Sequence, residues 1–438
     1  MTSMPKGIVA FLLCCQIWIL GCADPSKKNE NEEAITLAGL EGQLTGLIKA
    51  YDLMGMSVVL LANGQIAWQG HLGTANLEKN TPIGEHTHYR VASISKTVTA
   101  MALLQLWEAG KVDLDKDVGH YLGWPLKHPD FPETDITLRH LLTHTSGIRD
   151  GEGYARFSGE MVAKHLNIRE LFVPNGTNVT KDQFASHRPG TYFSYANCTW
   201  GLIASVVEMV SQKRFDTYCH DHIFKPMGLT AHFNVSELKD LDSLAVLYRY
   251  KEGKWVPQAD DYSKGLPPLR APENYELGKN GLLFGPQGSL RSTAKDLAKL
   301  ALMLIRDGTY NGQQILEKNT VDVMLKSHWT HNGENGDTWD NFFLSYGLGT
   351  HQTLNREGGD VLFPDREMVG HPGIAYGLLS DMYFEKEGNS GIVFITNGSK
   401  HDFKYGQNTS FYEVEEAVFQ VVFPFLKALE NKEQKEAR

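Results

Sequence analysis

Segments with strand character are confined to the two ends of this chain, and that distribution most constrains its fold. Met56-Ser57-Val58-Val59-Leu60-Leu61 is a short apolar run, of the length expected for a buried strand. Asn63-Gly64 follows it as a strong two-residue hairpin signal, with Gln65 to Gly70 as the return strand. Another strand is expected near His88 to Val91. Strand patterns return at Ser345–Gly349, Tyr376–Phe384 and Gly391–Thr396. The last two are joined by the polar turn Glu385-Lys386-Glu387-Gly388-Asn389. From about residue 98 to about residue 310 the pattern is one of helices and long loops. Strands at both ends with helices between them predict an α/β (α+β) fold. Its single antiparallel sheet is assembled from both termini and carries an all-helical insertion. Leu37–Tyr51 and Phe411–Leu429 read as amphipathic flanking helices, with Pro424 expected to kink the second.

The chain has 438 residues, 42% of them hydrophobic and 21% charged, enough apolar material for a sizeable core. The formal net charge of −10 and the absence of a basic stripe argue against a nucleic-acid partner. The first residues read as a processing signal. Lys6 precedes an apolar stretch from Gly7 to Gly21, and Ile19-Leu20-Gly21-Cys22 closes it. This resembles a bacterial lipoprotein signal, with Cys22 lipidated; an ordinary signal peptide or an uncleaved anchor is the alternative. Residues 23–36 then form a flexible tether and residues 37–430 the mature domain. The expected location is the cell envelope, periplasmic or facing the outer membrane, with the membrane touched only through that anchor. Cys198 and Cys219 are the two cysteines of the mature body. Export permits a disulfide between them, and the reading here favours buried thiols.

Chemistry enters at Tyr89-Arg90-Val91-Ala92-Ser93-Ile94-Ser95-Lys96. An entry loop leads into a helix that is apolar nearly all round, ended by Gly110. Ser93 and Lys96 are three apart and therefore share a face. A lysine desolvated by such a helix can be neutral enough to take the serine proton. The same spacing at Ser3, Ser236 and Ser292 has structural readings; Thr293 and Asp296 have the spacing of a capping box.

Tyr195-Ala196-Asn197 follows the turn Arg188-Pro189-Gly190-Thr191 and precedes a buried helix at Thr199. Tyr195 there can exchange a proton with Ser93, and Asn197 can clamp a substrate amide. Gly370-His371-Pro372-Gly373 stands just before the expected strand at Tyr376. His371 is placed to line a cleft, and the backbone N–H groups of Ser93 and Ile374 are the natural oxyanion donors.

Ser93-Ile94-Ser95-Lys96, Tyr195-Ala196-Asn197 and His371-Pro372-Gly373, in that order, resemble the three motifs of the serine β-lactamase and penicillin-binding superfamily. The class C type, with its DD-peptidase and esterase branch, is the most similar. Leu141-Leu142-Thr143-His144-Thr145-Ser146-Gly147 and Gly288-Ser289-Leu290-Arg291-Ser292-Thr293 agree with it. The resemblance implies an enzyme with Ser93, Lys96 and Tyr195 as catalytic residues. Asn197, His371, Gly373 and Ile374 would bind substrate. The activity implied is hydrolysis of a D-amino-acid peptide, an ester or a β-lactam through an acyl-serine. His140 and His144 are read as structural. The chain departs from class C enzymes in carrying His371-Pro372-Gly373 for Lys-Thr-Gly. Histidine carries charge only when protonated, so peptide or ester substrates are expected over β-lactams. No metal or other cofactor is implied; the partner is a small-molecule or peptide substrate. The alternative is a penicillin-binding sensor or peptidoglycan-binding module without turnover.

Overall fold

The computed structural model describes residues 37–265, 267 and 271–436. Five strands form the body of its main sheet: β1 (Gly55–Ala62), β2 (Gln65–Asn76), β3 (Val369–Ala375), β4 (Leu378–Glu385) and β5 (Ser390–Thr396). β5 pairs antiparallel with β1, with Val393 opposite Val59, and so joins the two ends of the chain. The order across the nine strands is Trp329–Thr330, Ser345–Tyr346, His351–Gln352, β3, β4, β5, β1, β2, Thr81–Pro82. Asn63 and Gly64 turn the first hairpin at φ 52° and 72°. That left-handed pair matches the twist of the strands it connects.

Five helices matter to the site and its support: α1 (Leu37–Ala50), α2 (Ser95–Glu108), α3 (Cys198–Ser211), α4 (Ala294–Ile305) and α5 (Glu413–Glu436). Every residue of β1 is buried, so its alternation separates two cores instead of core from solvent. Met56, Val58 and Leu60 pack with Leu40 and Leu44 of α1 and Val418, Val422 and Leu426 of α5. Val59 and Leu61 join the other core, with Leu297, Leu300, Ala301 and Leu304 of α4. Those α4 positions repeat at three, four and seven residues, one helical stripe. Each fully buried aliphatic side chain stabilises the fold by about 1.5–3 kcal/mol. Thr293 caps α4 by accepting the Asp296 amide at 3.0 Å.

Three expectations need correction. The insertion is not all-helical: it holds the strand pair Lys127–His128 with Phe131–Asp135, and the hairpin Leu247–Lys251 with Lys254–Ala259. The hairpin turns on Glu252 and Gly253, both left-handed at φ 50° and 79°. Its strands are short and largely polar, which weakens the alternation signal. The segment carrying His371 is itself strand β3, and Tyr376 and Gly377 are the turn after it, at φ 56° and 94°. Two glycines and a proline give that segment poor strand propensity, and pairing with β4 overrides it. The C-terminal helix runs on to Glu436, with Pro424 inside it.

The expected strand at His88 exists as His88–Arg90, but it pairs with Arg291–Thr293 outside the main sheet. The expected signal with Cys22, and the tether, lie outside the described residues. Among the described residues, no helix is long and apolar enough to cross a membrane.

Candidate active site

Ser93 sits in a single 3-10 turn, Ala92–Ile94, that feeds directly into α2. Ala92 is held at φ 46°, a left-handed conformation that costs a non-glycine residue about 1–3 kcal/mol. Neighbouring hydrogen bonds impose it. Ser95 Oγ donates to the Ala92 carbonyl at 2.6 Å and accepts the Leu290 amide at 3.0 Å. The Val91 amide donates to the Leu290 carbonyl at 2.9 Å. Arg90 reaches the Gly288 carbonyl and Ser289 Oγ, each at 3.0 Å. The Ser95 hydroxyl is therefore engaged in holding the turn, while Ser93 Oγ faces the lysine.

Lys96 has no solvent exposure. Its Nζ donates to Ser93 Oγ at 3.0 Å, Asn197 Oδ1 at 2.8 Å and the Gln287 carbonyl at 2.8 Å. Three acceptors match the three protons of an ammonium group. Burial pushes the Lys96 pKa down to about 7, against the opposing pull of Asp150. Tyr195 hydrogen-bonds Ser93, and burial pushes its phenol well above the usual range. Its ring lies 4.9 Å from Lys96 Nζ. Of the two groups beside the serine, the lysine can be a neutral base near pH 7, whereas the tyrosine stays protonated.

Asn197 opens α3. While its Oδ1 takes Lys96, its Nδ2 donates to Asp150 Oδ2 at 2.7 Å. The Asn197 and Cys198 amides also donate to the Asp150 carboxylate, at 2.8–2.9 Å. Asp150 thus satisfies orphan amides at the helix start and orients the asparagine. His144, left-handed at φ 56°, stacks on the Tyr195 ring at 4.3 Å. Its carbonyl accepts the Ser194 amide at 2.8 Å and its Nδ1 the Ala196 amide at 3.1 Å. Tyr195 is clamped on both sides of its own residue by this histidine. Cys198 and Cys219 are buried free thiols.

The third motif lies on β3. Of β3, His351–Gln352 covers only Val369 and Gly370, so the β3 edge from His371 onward is left to face the nucleophile turn. Gly373 makes that approach possible. A Cβ there would stand 2.6 Å from the Val91 carbonyl and 2.3 Å from Ser380 Oγ. His371 is fully buried, its ring 6.3 Å from that of Tyr195. Its Nδ1 is 2.6 Å from the Pro372 carbonyl, which only accepts, so Nδ1 carries the hydrogen. Nε2 then accepts from the Tyr346 hydroxyl at 2.9 Å. Burial, with Lys96 nearby, pushes the imidazole pKa well below its usual range. The ring is therefore neutral, and both of its nitrogens are engaged. The Ile374 side chain is 43% exposed at the mouth of the site, beside Tyr376 at 40%.

The structure brings Ser93, Lys96, Tyr195 and Asn197 into one hydrogen-bonded cluster and sets β3 with Gly373 against the Ser93 turn. Asp150, Gln287 and Tyr346 complete that cluster and were not singled out from the sequence. Asp150 stands 47 residues before Asn197, with no local pattern linking the two. Gln287 contributes only a main-chain carbonyl, which no side-chain motif can encode. Among the described residues, no group of three His, Cys, Asp or Glu side chains is placed to hold a metal ion.

A serine, a buried lysine and a tyrosine converging at the edge of an antiparallel sheet define a serine-centred site of the β-lactamase and penicillin-binding type. The chain belongs to the Beta-lactamase family, whose profile matches residues 40–410. It is 42% identical over 105 residues to the serine beta-lactamase-like protein LACTB, mitochondrial, of Mus musculus; that stretch covers 22% of this chain and 18% of the mouse protein. It is 26% identical over 341 residues to the putative penicillin-binding protein PbpX of Bacillus subtilis (strain 168), covering 71% of this chain and 76% of that one. The octameric penicillin-binding protein homologue from Pyrococcus abyssi has the same fold, with a TM-score of 0.64 and 23% identity over 89% of this chain and 77% of that chain.

Proposed function

We propose that this protein is a serine hydrolase that opens amide or ester bonds through an acyl intermediate on Ser93. The observation that carries the reading is Lys96, buried, 3.0 Å from Ser93 Oγ and with its pKa lowered to about 7. Neutral Lys96 takes the Ser93 proton as Oγ attacks the carbonyl carbon. The N–H groups of Ser93 and Ile374 receive the developing oxyanion. Tyr195, protonated and bonded to Ser93, passes its proton to the departing amine or alcohol and is reprotonated by the Lys96 ammonium, so the serine proton ends on the leaving group. Water then attacks the acyl-serine by the reverse relay. Asn197 holds Lys96 and offers its amide edge to the substrate. With His371 neutral and enclosed, no fixed positive charge stands where class C enzymes carry a lysine. The substrate class favoured is a D-amino-acid peptide, amide or short ester over a β-lactam.

Peptide mapping after a fluorophosphonate probe is expected to place the adduct on Ser93. Ser93→Ala is expected to cut turnover on the order of 10⁴–10⁶-fold. An adduct on Ser95 or Ser292 overturns the mechanism. A stoichiometric acylation burst with no steady-state turnover makes the protein a penicillin-binding sensor instead.

We further infer that Cys22 is lipidated and tethers the domain to the cell envelope. Lys6, the apolar stretch to Gly21 and the small residue before the cysteine support this. Metabolic labelling with a clickable fatty acid in a bacterial host should mark the wild type and not Cys22→Ala. Equal labelling of both, or of neither, removes the anchor.

A further inference from the structure

Beside β3, on the side of the sheet covered by α5, a recess opens next to Pro372 and Ile374. Aromatic rings form its walls: Trp339, Phe342, Tyr405 and Tyr412. Trp339 and Tyr405 are 47% and 50% exposed, so bare aromatic surface stands at the entrance. Tyr405 and Tyr412 stack at 5.4 Å. Trp339, Asp340 and Asn341 are all left-handed, at φ 49°, 56° and 62°, and this strained run presents the indole 5.1 Å from the Tyr195 ring.

The remaining wall is acidic. Glu415, on the first turn of α5, lines the recess and accepts the Tyr412 amide at 2.7 Å. Behind it stands Asp381 of β4, fully buried and facing the Glu415 carboxyl. Asp381 sits opposite Pro372 in the sheet register. Burial and the facing Glu415 push the Asp381 pKa well above the carboxylate range; burial raises Glu415 to about 7. Two buried carboxyls thus face each other, and among the described residues no basic side chain forms an ion pair with either. The basic side chains Arg249, Lys251 and Lys400 border a separate recess on the other side of Ile374.

We propose that this recess is a leaving-group subsite selective for a positively charged substituent, an ammonium or quaternary amine, and that it rejects a carboxylate. The proposal rests on the acyl-serine reading above. Tyr195 delivers the proton to the leaving group, and the Trp339 wall adjoins Tyr195, so atoms beyond the scissile bond reach the recess. Aromatic faces attract a cation through their quadrupoles, and a carboxylate in a poorly solvated wall strengthens that attraction. Above about pH 7, where Glu415 gives up its proton, a leaving-group carboxylate would meet like charge there.

The test uses three phenyl acetates with 3-trimethylammonio, 3-tert-butyl and 3-carboxylate substituents, the first two of nearly equal shape. The readout is the ratio of kcat/KM for the cationic ester to that for the neutral one, in wild type and variants. Comparing the ratio between proteins cancels the differing reactivity of the phenols. Glu415→Gln keeps an oxygen for the Tyr412 amide and is expected to lower the ratio roughly ten-fold. Trp339→Leu changes an exposed side chain, is expected to lower it several-fold and serves if Glu415→Gln fails to fold. A ratio unchanged in the variants, or a wild type fastest on the carboxylate ester, overturns the subsite. Hydrolysis of all three esters that survives Ser93→Ala sinks the acyl-serine reading itself. Ser93-dependent hydrolysis with invariant ratios sinks only the subsite.

Discussion

Hydrolysis of a neutral ester is expected to fall about ten-fold for each pH unit below 7, because the attacking serine depends on neutral Lys96. Burial lowers the Lys96 pKa to about 7, so the base is largely neutral above that pH and protonated below it. The sign follows from the direction of the shift: acid removes the base and alkali does not. The profile to record is kcat/KM, which reports the free enzyme. Lys96→Ala should reduce it by about 10²–10⁴-fold. Lys96→Arg should be no better, since a guanidinium does not deprotonate in this range. Tyr195→Phe should cost a comparable factor, and the double variant little more than either single one, because both groups act on the Ser93 proton. A profile flat from pH 5 to 8, or fully additive losses, would falsify the shared relay.

The second large effect is on stability. Arg291 and Asp260 form an ion pair with each side chain 1% exposed. Arg291 Nη2 is 2.5 Å from Asp260 Oδ1, and its Nη1 donates to the Ser289 carbonyl at 2.8 Å. Burial works to raise the Asp260 pKa, yet Arg291 holds it below the usual carboxylate range. Asp260→Asn leaves a buried guanidinium without its counter-charge and is expected to destabilise the fold by about 3–5 kcal/mol. Equilibrium urea unfolding measures this. Replacing both partners, Asp260→Leu with Arg291→Met, should recover most of the loss. If the single variant unfolds at the wild-type midpoint, the pair does not bear on stability. Activity should fall as well. Arg291 lies on the strand paired with His88–Arg90, and adjoining Leu290 bonds both Val91 and Ser95 around the nucleophile turn.

Much of this arrangement was legible in the chain because its signals are local. Asn63-Gly64 turns where it must, since two left-handed residues are what that dipeptide tolerates. α4 begins at its Thr293 cap, and α2 follows the nucleophile as an apolar run. Ser93 and Lys96 sit one helical turn apart, a spacing that guarantees proximity whatever the rest of the fold does. The three motifs carried the family. Strand β3 was missed because its glycines and proline speak against a strand, and only the pairing of Val369–Ala375 with Leu378–Glu385 makes it one. The hairpin at Leu247–Ala259 was missed because short polar strands show little alternation.

The sequence by itself determined the polarity of the elements, the turn at Asn63-Gly64 and the placing of a serine three residues before a lysine, all consequences of interactions within a few residues. Only the tertiary structure decided what those residues become. The Lys96 pKa falls to about 7 because α3, the Gln287 carbonyl and the Tyr195 ring bury it. His371 is an enclosed neutral ring because burial and the nearby Lys96 hold its pKa down, and Tyr346, 25 residues away in sequence, donates to its Nε2. Asp150 holds Asn197 from 47 residues away in sequence. Burial and hydrogen bonding between distant segments set the protonation state of a side chain, and neither can be read from spacing along the chain.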